Sequence, residues 1–138
     1  MKTNIFKQAK LFLCIVAAAF TISCTNNDNN SNNIVGNWLC VSRNGNGIEN
    51  DRLIAFREDK AYTDRTGLLI HNDSYDCKWS VVDNYLYIDY TYMEDVYGVT
   101  GIVGREEYHK TREFEILELT NTSLKLQRDS DRWEFNRE

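Results

Sequence analysis

The chain has 138 residues, with 16 Lys and Arg against 21 Asp and Glu for a formal charge of −5, and it contains no proline. That length provides for one domain with a single small core and excludes two. The acidic balance argues against nucleic acid or an anionic lipid face as a partner, and the acidic residues alternate with apolar ones as a solvated outer face does.

Lys2, Lys7 and Lys10 precede an apolar run from Leu11 to Cys24, LFLCIVAAAFTISC. A basic head, a short apolar stretch and small residues form the secretory pattern, and the run falls short of the ~20 residues a spanning helix needs. Thr21-Ile22-Ser23-Cys24 resembles the lipobox of bacterial lipoproteins, with Thr21 where that family usually has Leu. The resemblance implies a signal peptide over residues 1–23 and a Cys24 that becomes the first residue and is acylated. The expected location is the cell envelope, in the outer membrane, with the membrane itself as partner through lipidated Cys24. At about 0.8 kcal/mol per buried CH₂, two or three acyl chains hold a protein essentially permanently. An ordinary cleavable signal with an incidental cysteine is the other reading. Three of the 16 basic residues and none of the 21 acidic ones precede Cys24, so the remainder carries 13 against 21, a net −8.

Residues 24–33, CTNNDNNSNN, hold six asparagines and nothing large enough to bury, and read as a tether. As a flexible coil it would hold a domain off the bilayer by roughly 17 Å. From residue 34 to 138 the pattern turns to period two, the signature of half-buried antiparallel strands.

Val35–Arg43 is the first expected strand, closed by the Asn44-Gly45-Asn46-Gly47 turn. Arg52–Glu58 and Lys60–Arg65 form a pair around Asp59, and Ser74–Val82 follows with Tyr75, Cys77, Trp79 and Val81 on one face. Tyr85–Tyr92 comes next. In Arg112–Leu119, Phe114 and Ile116 share one face while Leu117 and Leu119 share the other, which calls for a bulge or a strand covered on both sides. Ser123–Arg128 and Arg132–Arg137 complete eight. The expected fold is all-β, a small eight-stranded antiparallel up-and-down barrel, because closure removes exposed edges; a sandwich is the alternative.

The segment Met93–Lys110, MEDVYGVTGIVGREEYHK, is the one long connection in this reading. It is too apolar for a solvated loop, so a lid is expected, with Tyr97, Ile102 and Tyr108 packed against the barrel mouth. A two-strand extension covering a sheet edge would bury the same residues.

Once Cys14 leaves with the signal and Cys24 is acylated, Cys40 and Cys77 remain, each two residues from an inward Trp. A disulfide between them could stabilise by ~3–4 kcal/mol in the chain-entropy model, and two small buried thiols would show the same phase. Trp38, Phe56, Tyr62, Trp79, Tyr90, Phe114, Trp133 and Phe135 all fall on inward faces. An eight-stranded barrel is either filled by such rings or lined by them around one small ligand, and so many rings favour filling.

Gly36-Asn37-Trp38 is similar to the G-x-W opening of lipocalins, and the stretches Cys77–Ile88 and Phe114–Leu126 resemble the W-x(2–6)-L-x-I and I-x-x-L-T-x-x-S-L-x-L segments of the lipocalin-like domain family of Gram-negative bacterial lipoproteins. The resemblance implies a barrel without catalytic residues and, for most members, without an established ligand. It also implies that Trp38 seals the closed end beneath an Arg near the last strand. Arg137 is the matching position, and Arg132 is the other candidate.

His71 and His109 lack zinc-helix spacing, no calcium loop is present, and Gly98, Gly101 and Gly104 lack the strand-to-helix context of a phosphate loop. With no paired nucleophile and base, the expectation is a protein that is not an enzyme and needs no cofactor or metal. Two functions then compete. One is the binding of a small apolar ligand at the barrel mouth, and the other is an interaction or structural module of the envelope acting through its outer surface.

Overall fold

The computed structural model describes residues 33–138; the signal, Cys24 and most of the tether lie outside the described residues. Eight strands follow one another: β1 (Gly36–Arg43), β2 (Asn46–Phe56), β3 (Tyr62–Asp64), β4 (Tyr75–Val82), β5 (Tyr85–Gly98), β6 (Gly101–Leu119), β7 (Ser123–Arg128) and β8 (Asp131–Arg137). All pairings are antiparallel, and the sheet order β3-β2-β1-β8-β7-β6-β5-β4 is that of an up-and-down meander whose first and last strands are paired. Closure between β3 and β4 is reduced to one bridge, Ala61 with Lys78, and a hydrogen bond from the Trp79 amide to the Lys60 carbonyl (2.9 Å). The result is the nearly closed antiparallel barrel that the alternation predicts, and the sandwich is set aside.

Turn chemistry fixes the registers. Asn44 and Gly45 take φ values of 54° and 78°, so both central residues of the β1–β2 turn are left-handed, the geometry that matches the strand twist. β2 therefore starts at Asn46, earlier than the expected Arg52. Ile116 and Glu118 flank a register shift that leaves Leu117 between them, exposed; of the two readings of that strand the bulge is the one found. A second shift in β4, with Asp76 at φ 48°, reverses the side-chain phase. Tyr75 consequently points outward and does not share the face of Cys77, Trp79 and Val81, because a bulge inserts one residue into the alternation.

Trp38, Phe56, Trp79, Phe114, Phe135, Ile54, Leu86, Ile88, Leu124 and Leu126 are fully buried and fill the barrel. Two ends can be distinguished. At one lie the start of β1, the end of β8 and the β4–β5 turn. At the other lie the β1–β2 and β7–β8 turns, the long connection 65–74 and the β5–β6 hairpin.

Candidate functional site

The first end is sealed as the family resemblance implies. The Arg137 guanidinium lies 4.3 Å from the Trp38 ring centre, and its Nη1 donates to the Val35 carbonyl (2.7 Å) while Nε donates to the Asn121 carbonyl (2.6 Å). The Trp38 indole donates to the Ile34 carbonyl (2.8 Å). Arg132, the alternative position, instead sits near Glu134 on the outer surface. A cation over a ring contributes about 0.5–2 kcal/mol depending on desolvation, so this seal is structural in its energetics.

The opposite end is closed by residues that the alternation pattern did not single out. Leu68, Leu69 and Ile70 are buried and plug the mouth from the 65–74 connection. Asp64, only 8% exposed at the end of β3, organises the plug. Its Oδ1 accepts from the Thr66 amide (3.2 Å), the Thr66 hydroxyl (2.9 Å) and the Leu68 amide (3.2 Å); its Oδ2 accepts from the Leu69 amide (2.8 Å) and the Tyr62 hydroxyl (3.3 Å). Burial and the neighbouring Asp64 charge together push the Tyr62 phenol well above its ordinary range, so Tyr62 stays a donor. From the other wall, Arg112 Nη1 donates to the Leu69 carbonyl (2.6 Å) with the guanidinium over the Tyr90 ring (5.9 Å).

The plug corrects the expected ligand lining. Phe56, Tyr62, Trp79, Tyr90, Phe114, Trp133 and Phe135 are all buried and pack on one another, with ring centres 5.2 Å apart for Phe56 and Tyr62, 5.6 Å for Phe56 and Trp79, and 5.7 Å for Phe114 and Trp133. They are core, and they fill the space a guest would use. The concave surfaces lie outside the barrel. A cleft of about 440 Å³ at the plugged mouth is lined by Gly67, Ile70, His71, Asn72, Asp73, Tyr92, Met93 and Arg112. His71 stacks on Tyr92 there (4.7 Å), and Arg112 Nε is buried without a partner.

Nor does Met93–Lys110 fold back as a lid. It continues β5 and β6 as one hairpin, paired from Met93 with Glu107 to Gly98 with Gly101 with one register shift between Val96 and Tyr97, and projects past the plugged end. Tyr97 is 72% exposed and Ile102 59%, with Val99 and Val103 open as well. Tyr108 stays on the arm, stacked against Tyr92 (5.7 Å) and donating to Glu106 (2.8 Å). The alternative two-strand extension is therefore the form found, but the tip residues Tyr97, Val99, Ile102 and Val103 cover no sheet edge among the described residues. Pairing of the two strands across a Val99-Thr100 turn satisfies the backbone groups that face each other within the segment without any help from the barrel, which a folded-back lid would not.

Cys40 and Cys77 are separate thiols, so of the two readings of this pair the possible disulfide is set aside. They stand on β1 and β4, strands kept apart by β2 and β3, and sharing an inward phase does not bring them together. Burial pushes Cys40 up to about 11 and raises Cys77, so both are held protonated and neither is a nucleophilic thiolate. His109 Nδ1 meets the Thr91 hydroxyl (2.8 Å), and no hydrogen bond joins it to either thiol among the described residues.

No protein-family model matches the chain, and no curated protein matches it. Among solved structures it is similar to a lipocalin-like protein from Bacteroides uniformis, with 12% sequence identity and a TM-score of 0.43 over 77% of this chain and 99% of that one.

Proposed function

We propose that this is a lipid-anchored envelope protein, acylated at Cys24, whose lipocalin-like barrel serves as an interaction module and not as a container or an enzyme. The observation that carries the reading is the contrast between a filled, doubly sealed barrel and a projecting hairpin whose tip exposes Tyr97, Val99, Ile102 and Val103 together. From Val96 to Gly104 the tip has no charged residue, so a clustered apolar surface faces outward without the screening that soluble proteins use elsewhere. The start of β1 lies at the end opposite the hairpin, so an anchor ahead of it leaves the tip facing away from the anchoring membrane.

A photo-crosslinking side chain placed at Tyr97 in the native envelope should give one discrete adduct, lost when Ile102 and Val103 are changed to Asp. No adduct at Tyr97, with the protein present and folded, overturns the tip as a docking element. The anchor is tested separately: Cys24→Ala should release the protein from membranes, and unchanged retention would overturn the acylation.

One observation favours a second reading. The mouth cleft holds an unpartnered donor, Arg112 Nε, beside the stacked His71 and Tyr92, which suits a small planar guest with an acceptor group. Such a guest would be polar in part, unlike the apolar one the rings suggested. Native mass spectrometry of protein taken from its own envelope distinguishes the two readings: a retained small molecule, displaced in Arg112→Ala, supports the cleft.

A further inference from the structure

β6 spans 19 residues, yet β7 pairs with it only from Glu115 to Leu119. Along Gly101–Phe114 its β7-side edge has no strand beside it among the described residues. Such an edge presents a row of unpaired N–H and C=O groups, which proteins usually blunt with proline, a covering loop or repelling charge. This chain contains no proline. The opposite edge of the arm differs, because Asn72 and Asp73 lie beside Met93 there and the Tyr75 hydroxyl donates across β5 to Glu107. A two-stranded ribbon standing alone is marginal in water, so the arm is the part of the fold that gains most from another strand.

We propose that this edge pairs antiparallel with the same edge of a second copy of the chain, about a two-fold axis through Tyr108. An axis normal to a sheet keeps every side chain on its own face, and facing residues of an antiparallel pair share a face, so the axis must pass through a residue and not between two. Through Arg105, Glu106, Glu107 or Lys110 it would set a charge against its own copy. Through His109 it would require Arg112 to face Glu106 of the second copy, but Arg112 is committed to the Leu69 carbonyl and the Tyr90 ring. Through Tyr108 every facing pair is compatible. Glu106 faces Lys110 of the second copy and Glu107 faces His109, each of these pairs occurring twice, and Tyr108 faces its counterpart once. Lys110 has no ion-pair partner within the described residues, and its side chain is exposed. The ladder runs from Gly104 to Arg112 and stops where β7 takes over the edge. It does not use the apolar tip, so it stands or falls independently of the tip's partner.

Sedimentation equilibrium of the full chain in a density-matched detergent tests the register. The unmodified chain should dimerise. Glu106→Lys sets Lys against Lys and Lys110→Glu sets Glu against Glu, so each single variant should weaken dimerisation on the order of tenfold. An equimolar mixture of the two single variants should recover it, since in the mixed dimer both facing pairs are unlike again. A chain that stays monomeric at millimolar concentration overturns the proposal. A dimer indifferent to the single substitutions, or single variants that do not rescue each other, overturns the Tyr108-centred pairing.

Discussion

The Asp64 carboxylate and the Leu69 amide, five residues apart and 2.8 Å from each other, are the hinge on which the barrel mouth is closed. The same carboxylate takes four further donors from Tyr62, Thr66 and Leu68, so a single buried side chain satisfies the backbone of a loop that has no strand to pair with.

Asp64→Ala leaves those amides without an acceptor. Hydrogen bonds to a charged group contribute ~1.5–3 kcal/mol each in favourable cases, and they overlap here, so a loss of about 3 kcal/mol is expected in urea unfolding. Hydrogen exchange should place the new opening at Thr66–Ile70 while the β7 and β8 amides stay protected. Uniform loss of protection would refute the local plug.

Gly36 sits at φ 139°, and a Cβ there would stand 2.7 Å from Arg137 Nη1. Gly36→Ala therefore strains the backbone and displaces the guanidinium from Trp38, with an expected cost of ~1–3 kcal/mol. Gly47→Ala, where a Cβ meets nothing within 4 Å, is the control and should stay within about 0.5 kcal/mol. Equal effects in unfolding followed by tryptophan fluorescence would remove Arg137 from the seal.

Cys40 carries a pH signature. Its thiol ionises near 9.0 when unfolded and is pushed up to about 11 by burial in the fold. A raised value in the folded state means that the unfolded chain loses its proton first. The stability Cys40 contributes is thus complete below pH 9 and lost as pH rises through about 11. The alkaline fall in stability should be smaller in Cys40→Val, and both Cys40 and Cys77 should titrate as free thiols in denatured, unreduced protein. One missing pair of thiols would restore the disulfide.

Replacing Val96–Gly104 by a short Gly-Ser turn should leave the barrel's unfolding free energy within about 0.5 kcal/mol, because all the removed residues but half-buried Val96 are exposed and none belongs to the core cluster. A variant that fails to fold would make the arm part of the core.

The strands were legible because their alternation is local: Leu86, Ile88, Phe114, Leu124, Leu126, Trp133 and Phe135 all face inward as period two requires. The Trp38 and Arg137 contact came through resemblance and is present in the structure. Two features escaped the pattern. Leu68-Leu69-Ile70 is an unalternating run, and what buries it is a carboxylate that periodicity reads as ordinary surface; the run beside an inward-phase Asp was the available signal. The Met93–Lys110 segment alternates poorly because it has no core to face, and its apolar content suggested a lid where the chain in fact makes a tight turn between Gly98 and Gly101. Apolar content shows that a segment wants a partner without showing that the partner lies in the same chain.

The pairing of β1 with β8 has a bearing on how the protein is made. Trp38 stands opposite Arg137 across the sheet and Cys40 faces Phe135, so β1, the first strand to leave the ribosome, waits for β8 before either wall is complete. Contacts so distant in sequence slow folding, since loop closure must precede their reward. Until Trp133 and Phe135 arrive the chain is open and without a finished interior, and a message truncated before them would yield a meander that can never shut.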